Sequence, residues 1–219
     1  MIEKAIENWL TSASERNFTI PFCQVLINEG HEILKISSHG PGEFGKDIIS
    51  RNSDKKICVF QLKGGNITKN KWRKEVREEV IELIELPPIH PSINQKTKIE
   101  KAFLVVSGTI ANEVNEEIRE LNIDVRRQKT GYPVLDVIEK EQLLTKFKDS
   151  QGQFLPVDLD NYYRFLEFYL EDGDGFISKE NFIRFFNEMI FDKQFKSKPQ
   201  QKTGIASAII IAGYLLNSF

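Results

Sequence analysis

The chain has little of what secreted, metal-stapled or membrane proteins carry. It holds two cysteines in 219 residues, Cys23 and Cys58, far apart and each in an apolar run. That usage excludes a disulfide framework and argues against a zinc site, so both are expected to be reduced core thiols of a cytosolic protein. Of the three histidines, His31 and His90 have no partner at ligand spacing. The opening MIEKAIENWLTSASER is charged and amphipathic and has no h-region, so no signal peptide is expected. The longest apolar run, Gly204 to Leu216, is about 13 residues, short of the roughly 20 that cross a bilayer. It is expected to be a buried or partner-facing helix in a protein with no membrane span. The chain stops one turn later without a capping signal, as expected of the N-terminal part of a longer protein.

Charge of one sign is also scarce. Thirty Lys and Arg oppose 32 Asp and Glu, a formal charge of −2, which excludes a protein that coats nucleic acid by bulk electrostatics but leaves room for a local basic face. With 40% hydrophobic and 28% charged residues, the chain is neither disordered nor collagenous. Its length suits one core with an appendage, and such a core needs no staples.

Helix and strand signals alternate over the first two thirds. Ile2, Ala5, Ile6, Trp9 and Leu10 recur at helical spacing, and Thr19-Ile20-Pro21 reads as a capped start with proline in the first turn of a second helix carrying Phe22, Val25 and Leu26. Glu29-Gly30 ends it. Extended runs at Glu32 to Ser38, Asp47 to Arg51 and Lys56 to Lys63, with Asn52-Ser53-Asp54 as a turn, predict an antiparallel meander. Trp72, Val76, Val80, Leu83 and Ile84 keep a 3.6-residue period over Lys69 to Leu86, and Pro87-Pro88 stops that helix. A strand at Ala102 to Val106, a turn and cap at Ser107-Gly108-Thr109, a helix through Ile110, Val114, Ile118 and Leu121, a strand at Val134 to Ile138 and a helix at Gln142 to Phe147 complete the pattern. The expectation is an α/β fold over residues 1–149, a central mixed sheet flanked by helices.

Residues 150–219 differ. Ten of the sixteen phenylalanines fall after residue 150 and no strand pattern is visible there, so a small Phe-rich all-α region is expected, with an αα-hairpin from Tyr162 to Leu170 and Asn181 to Phe191. Its aromatic surface suggests a homo-oligomer or docking to further C-terminal domains. Asp172-Gly173-Asp174-Gly175-Phe176-Ile177 copies the middle of an EF-hand loop. Aligning Gly175 with the sixth position, however, puts Leu170 and Asn181 where the loop needs carboxylates, so a turn and cap is the better reading.

Chemistry concentrates in His39-Gly40-Pro41-Gly42-Glu43-Phe44-Gly45-Lys46-Asp47 and, after a hairpin, Gln61-Leu62-Lys63-Gly64-Gly65. Asp47 opens one strand, while Gln61 and Lys63 share a face of the next because alternate residues point the same way. Pairing those strands brings a carboxylate, an amide and an ammonium together. Phosphodiester hydrolysis uses such a trio. The carboxylate holds Mg²⁺ or Mn²⁺, the Gln61 amide oxygen and the Leu62 backbone carbonyl add oxygen ligands, and the lysine polarises or deprotonates the attacking water.

Gly45-Lys46-Asp47 and Gln61-Leu62-Lys63, with 13 residues between Asp47 and Gln61, resemble the G-x-D and Q-x-K strands of the Mrr-type branch of the PD-(D/E)xK nuclease superfamily, which includes restriction endonucleases. The resemblance covers roughly residues 18–148. It implies a restriction-endonuclease-like fold and Mg²⁺-dependent DNA cleavage, with Asp47 as metal ligand, Gln61 as a metal-site residue and Lys63 as catalytic lysine. It also suggests the effector module of a restriction or phage-defence protein. Many members carry a further acid on the first core helix, where this chain offers Gln24. Glu15 or Glu7 could substitute, and Glu43 is a second candidate ligand. If none reaches the site, a one-metal arrangement or a catalytically weak nuclease is expected. The missing helix acid and the near-neutral net charge also motivate an alternative, a catalytically inactive nuclease-like fold serving as a nucleic-acid or protein interaction module.

Beside this site Lys63, Lys69, Lys71, Arg73, Lys74 and Arg77 gather with only Glu75 among them, a candidate phosphate-contacting patch. A solvated helix face with Lys71–Glu75 and Lys74–Glu78 pairs would look the same. Trp72 reads as a core anchor. His39, in the lead-in loop, could orient a phosphate or serve only in local hydrogen bonds.

Overall fold

A computed structural model describes residues 14–37, 44–94, 97–127 and 131–154, with scattered positions near both ends. Two compact units divide the chain, Met1–Phe147 and Lys148–Phe219. Most of the first predicted helix, the lead-in loop with His39 and Glu43, the EF-hand-like loop, the predicted αα-hairpin and the apolar C-terminal run lie outside the described residues.

The first unit is an α/β fold built on one mixed sheet. In chain order the elements are α1 (Glu15–Asn28), β1 (Glu32–Ile36), β2 (Ile48–Arg51), β3 (Ile57–Lys63), the long helix α2 (residues 69–85), β4 (Ile99–Val106), α3 (Asn112–Arg127), β5 (Leu135–Ile138) and α4 (Lys140–Phe154). Strand order equals chain order. β1, β2 and β3 form the expected antiparallel meander, whereas β4 and β5 add in parallel after the α2 and α3 crossovers. Asn52 closes the β2–β3 hairpin, accepting the Lys56 N–H on its side-chain oxygen at 2.9 Å.

All seven residues of β3 are buried, as a central strand covered on both faces requires. Alternation sends Ile57 and Val59 into a core with Val76, Val80 and Leu83 of α2 and Val114 and Ile118 of α3. It sends Phe60 to the other face, edge-on to Phe22 of α1 at 5.7 Å and stacked on Phe103 of β4 at 4.8 Å. Lys146 of α4 pairs with Glu29 at the end of α1, at 2.6 Å.

Three local expectations are corrected by tertiary packing. α1 starts at Glu15, so Pro21 sits mid-helix and not in its first turn. Phe18, Phe22, Val25 and Leu26 are all buried, and that apolar stripe carries the helix across a proline that would stop an isolated peptide. The end of α1 is as expected: Gly30, at φ +86°, donates to the Ile27 carbonyl while His31 donates to that of Leu26. α3 begins at Asn112, beyond the predicted Thr109 cap, because the Thr109 N–H and hydroxyl both donate to Asn66 and Ile110 bridges to Ile67. Finally, α2 contains a π-helical stretch, Trp72–Val76, between α-helical Lys69–Lys71 and Arg77–Glu85. The predicted Lys71–Glu75 and Lys74–Glu78 pairs do not form. A π turn aligns residues five apart, and Lys71 instead donates to the Gly64 carbonyl at 2.7 Å.

Among the described residues no helix is long and apolar enough to cross a membrane. Cys23 and Cys58 are buried and free, and burial pushes both thiols up, Cys23 to about 12.

Candidate active site

β2 runs antiparallel to β3, so the residue entering β2 lies beside the C-terminal end of β3. Asp47 is that residue. Its N–H donates to the Phe60 carbonyl at 2.9 Å, extending the ladder by one step. Its Oδ2 accepts the Leu62 N–H at 2.6 Å and the Gln61 side-chain amide at 3.1 Å. Two donors on one carboxylate oxygen fix its orientation. Because a strand residue's N–H and C=O face the same edge, the Leu62 carbonyl lies on the same side of β3 as Asp47.

Gln61 thus turns its amide nitrogen to Asp47, and its Oε1, in a side chain only 3% exposed, has no hydrogen-bond partner. A buried amide oxygen left unmet costs about 1–3 kcal/mol. Swapping the amide would turn that oxygen against the Asp47 carboxylate and cure nothing.

Lys63, two residues on and on the same face, reaches two acids. Its Nζ lies 2.7 Å from Glu79 Oε2 of α2 and 3.6 Å from Glu15 Oε1 at the start of α1. Burial pushes its amine down, but the neighbouring carboxylates, Glu79 foremost, then Glu15 and Asp47, more than reverse this, and the amine is held above the ordinary lysine value. Among the two upstream acids the structure places Glu15 at the site. Glu7 instead faces Lys140 at 3.1 Å, and Gln24 donates to Asn28.

The lead-in is held from below. Gly45 has φ +66°, and a Cβ there would land on the Glu79 backbone carbonyl, so only glycine lets the segment approach α2. Lys46, 2% exposed, donates to the Phe44 carbonyl at 3.0 Å and the Glu82 carbonyl at 2.9 Å. Sequence reasoning missed both Lys46 and Glu79. For Glu79 a signal existed: three residues after Val76 and four before Leu83, it is an acid on the apolar stripe of α2.

The basic patch divides. Lys71 is tied to Gly64, and Arg73 pairs with Glu117 of α3 at 3.4 Å, beside the bond from the Trp72 indole to the same carboxylate at 2.9 Å. Trp72 is therefore the buried anchor expected. Lys69, Lys74 and Arg77 are exposed on α2.

Oxygen donors at this end of β3 are the Asp47 carboxylate, the unpaired amide oxygen of Gln61 and the Leu62 carbonyl, with the Glu15 carboxylate 3.6 Å from the Lys63 ammonium. Among the described residues no three His, Cys, Asp or Glu side chains are gathered closely enough to hold a metal by themselves. As a mixed set, however, these are hard oxygen donors of the kind Mg²⁺ and Mn²⁺ take, and the Gln61 oxygen is buried with no hydrogen-bond partner. No protein-family model, curated protein or solved structure matches this chain.

Proposed function

We propose that residues 1–149 form a restriction-endonuclease-like, metal-dependent DNA endonuclease domain of the PD-(D/E)xK type. The observation that carries this reading is the convergence of four residues from three elements: Asp47 bonded to Gln61, and Lys63 beside Glu15, all at the C-terminal end of β3. Glu15, one of the two upstream acids offered by the sequence, lies 3.6 Å from the Lys63 ammonium and is the candidate for the further acid of the first core helix. Its approach to Lys63 favours this reading over the alternative, a catalytically inactive nuclease-like interaction module.

Asp47, Glu15, the Gln61 oxygen and the Leu62 carbonyl would hold the Mg²⁺ or Mn²⁺ ion. When bound, such an ion activates water and polarises the scissile phosphate. The Leu62 N–H and Gln61 amide keep Asp47 aimed. Lys63, kept cationic by its acidic neighbours, stabilises charge developing on phosphate oxygens and can hand a proton to the leaving alkoxide. Lys69, Lys74 and Arg77 are available to contact phosphates along the duplex, with a contribution that weakens as salt rises.

Incubating plasmid and linear DNA with Mg²⁺ or Mn²⁺ tests this directly. The wild type is expected to cut, and Asp47→Ala and Lys63→Ala to lose about 10²–10⁴-fold in rate. No cleavage by the wild type, or equal cleavage by all three, refutes the assignment.

A further inference from the structure

We propose that Glu79 is the positioning residue for Lys63, setting where the ammonium sits at the site. The proposal rests on the nuclease reading for its chemical meaning, but its structural half stands on independent observations.

First, Glu79 occupies a costly place. Its side chain is 41% exposed, yet Oε2 is buried, finding Lys63 Nζ at 2.7 Å in an ion pair without directed hydrogen-bond geometry. Burying one carboxylate oxygen is unfavourable unless a charge answers it, and Lys63 is that charge. Second, the helix is adapted to put it there. Each residue advances an α-helix by about 100°, so the wider π turn at Trp72–Val76 changes the facing of everything downstream relative to Trp72. With that turn in place, Trp72 reaches Glu117 of α3 while Glu79 reaches β3. Third, the backbone at Glu79 is packed so tightly on Gly45 that no larger residue fits, so the segment delivering Asp47 and the side chain holding Lys63 share one support. Glu15, at 3.6 Å from the ammonium, is the more distant acid. That division leaves Glu15 to the metal and gives Glu79 the lysine.

The test compares wild type, Glu79→Gln, Glu79→Asp and, as an exposed control on the same helix, Glu75→Gln. Lys63 is mapped with an amine-reactive reagent and peptide mass spectrometry, in parallel with steady-state DNA cleavage. Glu79→Gln is expected to raise Lys63 labelling several-fold and to lower kcat by about 10- to 100-fold with KM for DNA unchanged, by analogy with the outer-shell partners that orient the ligands of metal sites. Glu79→Asp should recover part of both, and Glu75→Gln should match wild type. Unchanged Lys63 labelling in both Glu79 variants overturns the proposal. So does an unchanged kcat in a protein that cuts DNA. If the wild type does not cut at all, the nuclease reading falls, and labelling alone decides whether Glu79 holds Lys63.

Discussion

Strand β3 is one ribbon with two characters on a single face. Its first half presents Ile57 and Val59 to α2 and α3, and its second half presents Gln61 and Lys63 to the same helix. Both halves are buried, yet burial has opposite consequences. In the interior it keeps groups neutral, as with the raised thiols of Cys58 on β3 and Cys23 on α1. At the strand end, carboxylates from two helices keep a buried lysine charged against that same penalty. One half contributes stability, and the other holds polar groups that apolar packing would serve better.

The largest stability effect should come from the apolar half. Ile57→Ala is expected to lower unfolding free energy by about 2–5 kcal/mol in urea titrations, because the surrounding core cannot collapse fully into the vacated space. Retained DNA cleavage by the remaining folded fraction would separate the two halves cleanly; parallel loss of both would merge them. A smaller and opposite effect is expected at the site. Lys63→Met combined with Glu79→Leu removes a partly buried ion pair in favour of packing, so the double variant should be as stable as wild type or gain about 1–4 kcal/mol while cleavage disappears. Marked destabilisation would mean that the charged end also holds the fold.

The smallest effect is a pH dependence. The Cys23 thiol titrates at about 12 in the folded chain against 9.0 when exposed, so above pH 9 the unfolded chain releases a proton that the native one keeps. Stability is therefore fully present below pH 9 and is lost as pH rises, by up to about 1.4 kcal/mol per unit from this group. Cys23→Ala should flatten that slope relative to wild type in denaturant midpoints measured from pH 8 to 10.5.

Local signals sufficed for much of the fold. The buried apolar residues of α2, the Asn52 turn, the Gly30 stop and the alternation that puts Gln61 and Lys63 on one face all act over a few residues, and each appears where the pattern places it, although a π turn interrupts the 3.6-residue period of α2. What failed depended on distant partners. Pro21 reads as a helix start until Phe18 is seen buried and Phe22 packed on Phe60 of the sheet. Thr109 reads as a cap until Asn66, from the neighbouring loop, takes its donors.

The sequence by itself determined the α/β order, the meander and the chemical identity of Asp47, Gln61 and Lys63, because backbone periodicity and side-chain chemistry are properties of short segments. Only the tertiary structure decided which acids meet the lysine. Glu15 and Glu79 lie 48 and 16 residues from Lys63 along the chain, and neither separation carries a periodic signal. Their approach is set by how α1 and α2 dock on the sheet, a matter of packing between surfaces that no single segment encodes.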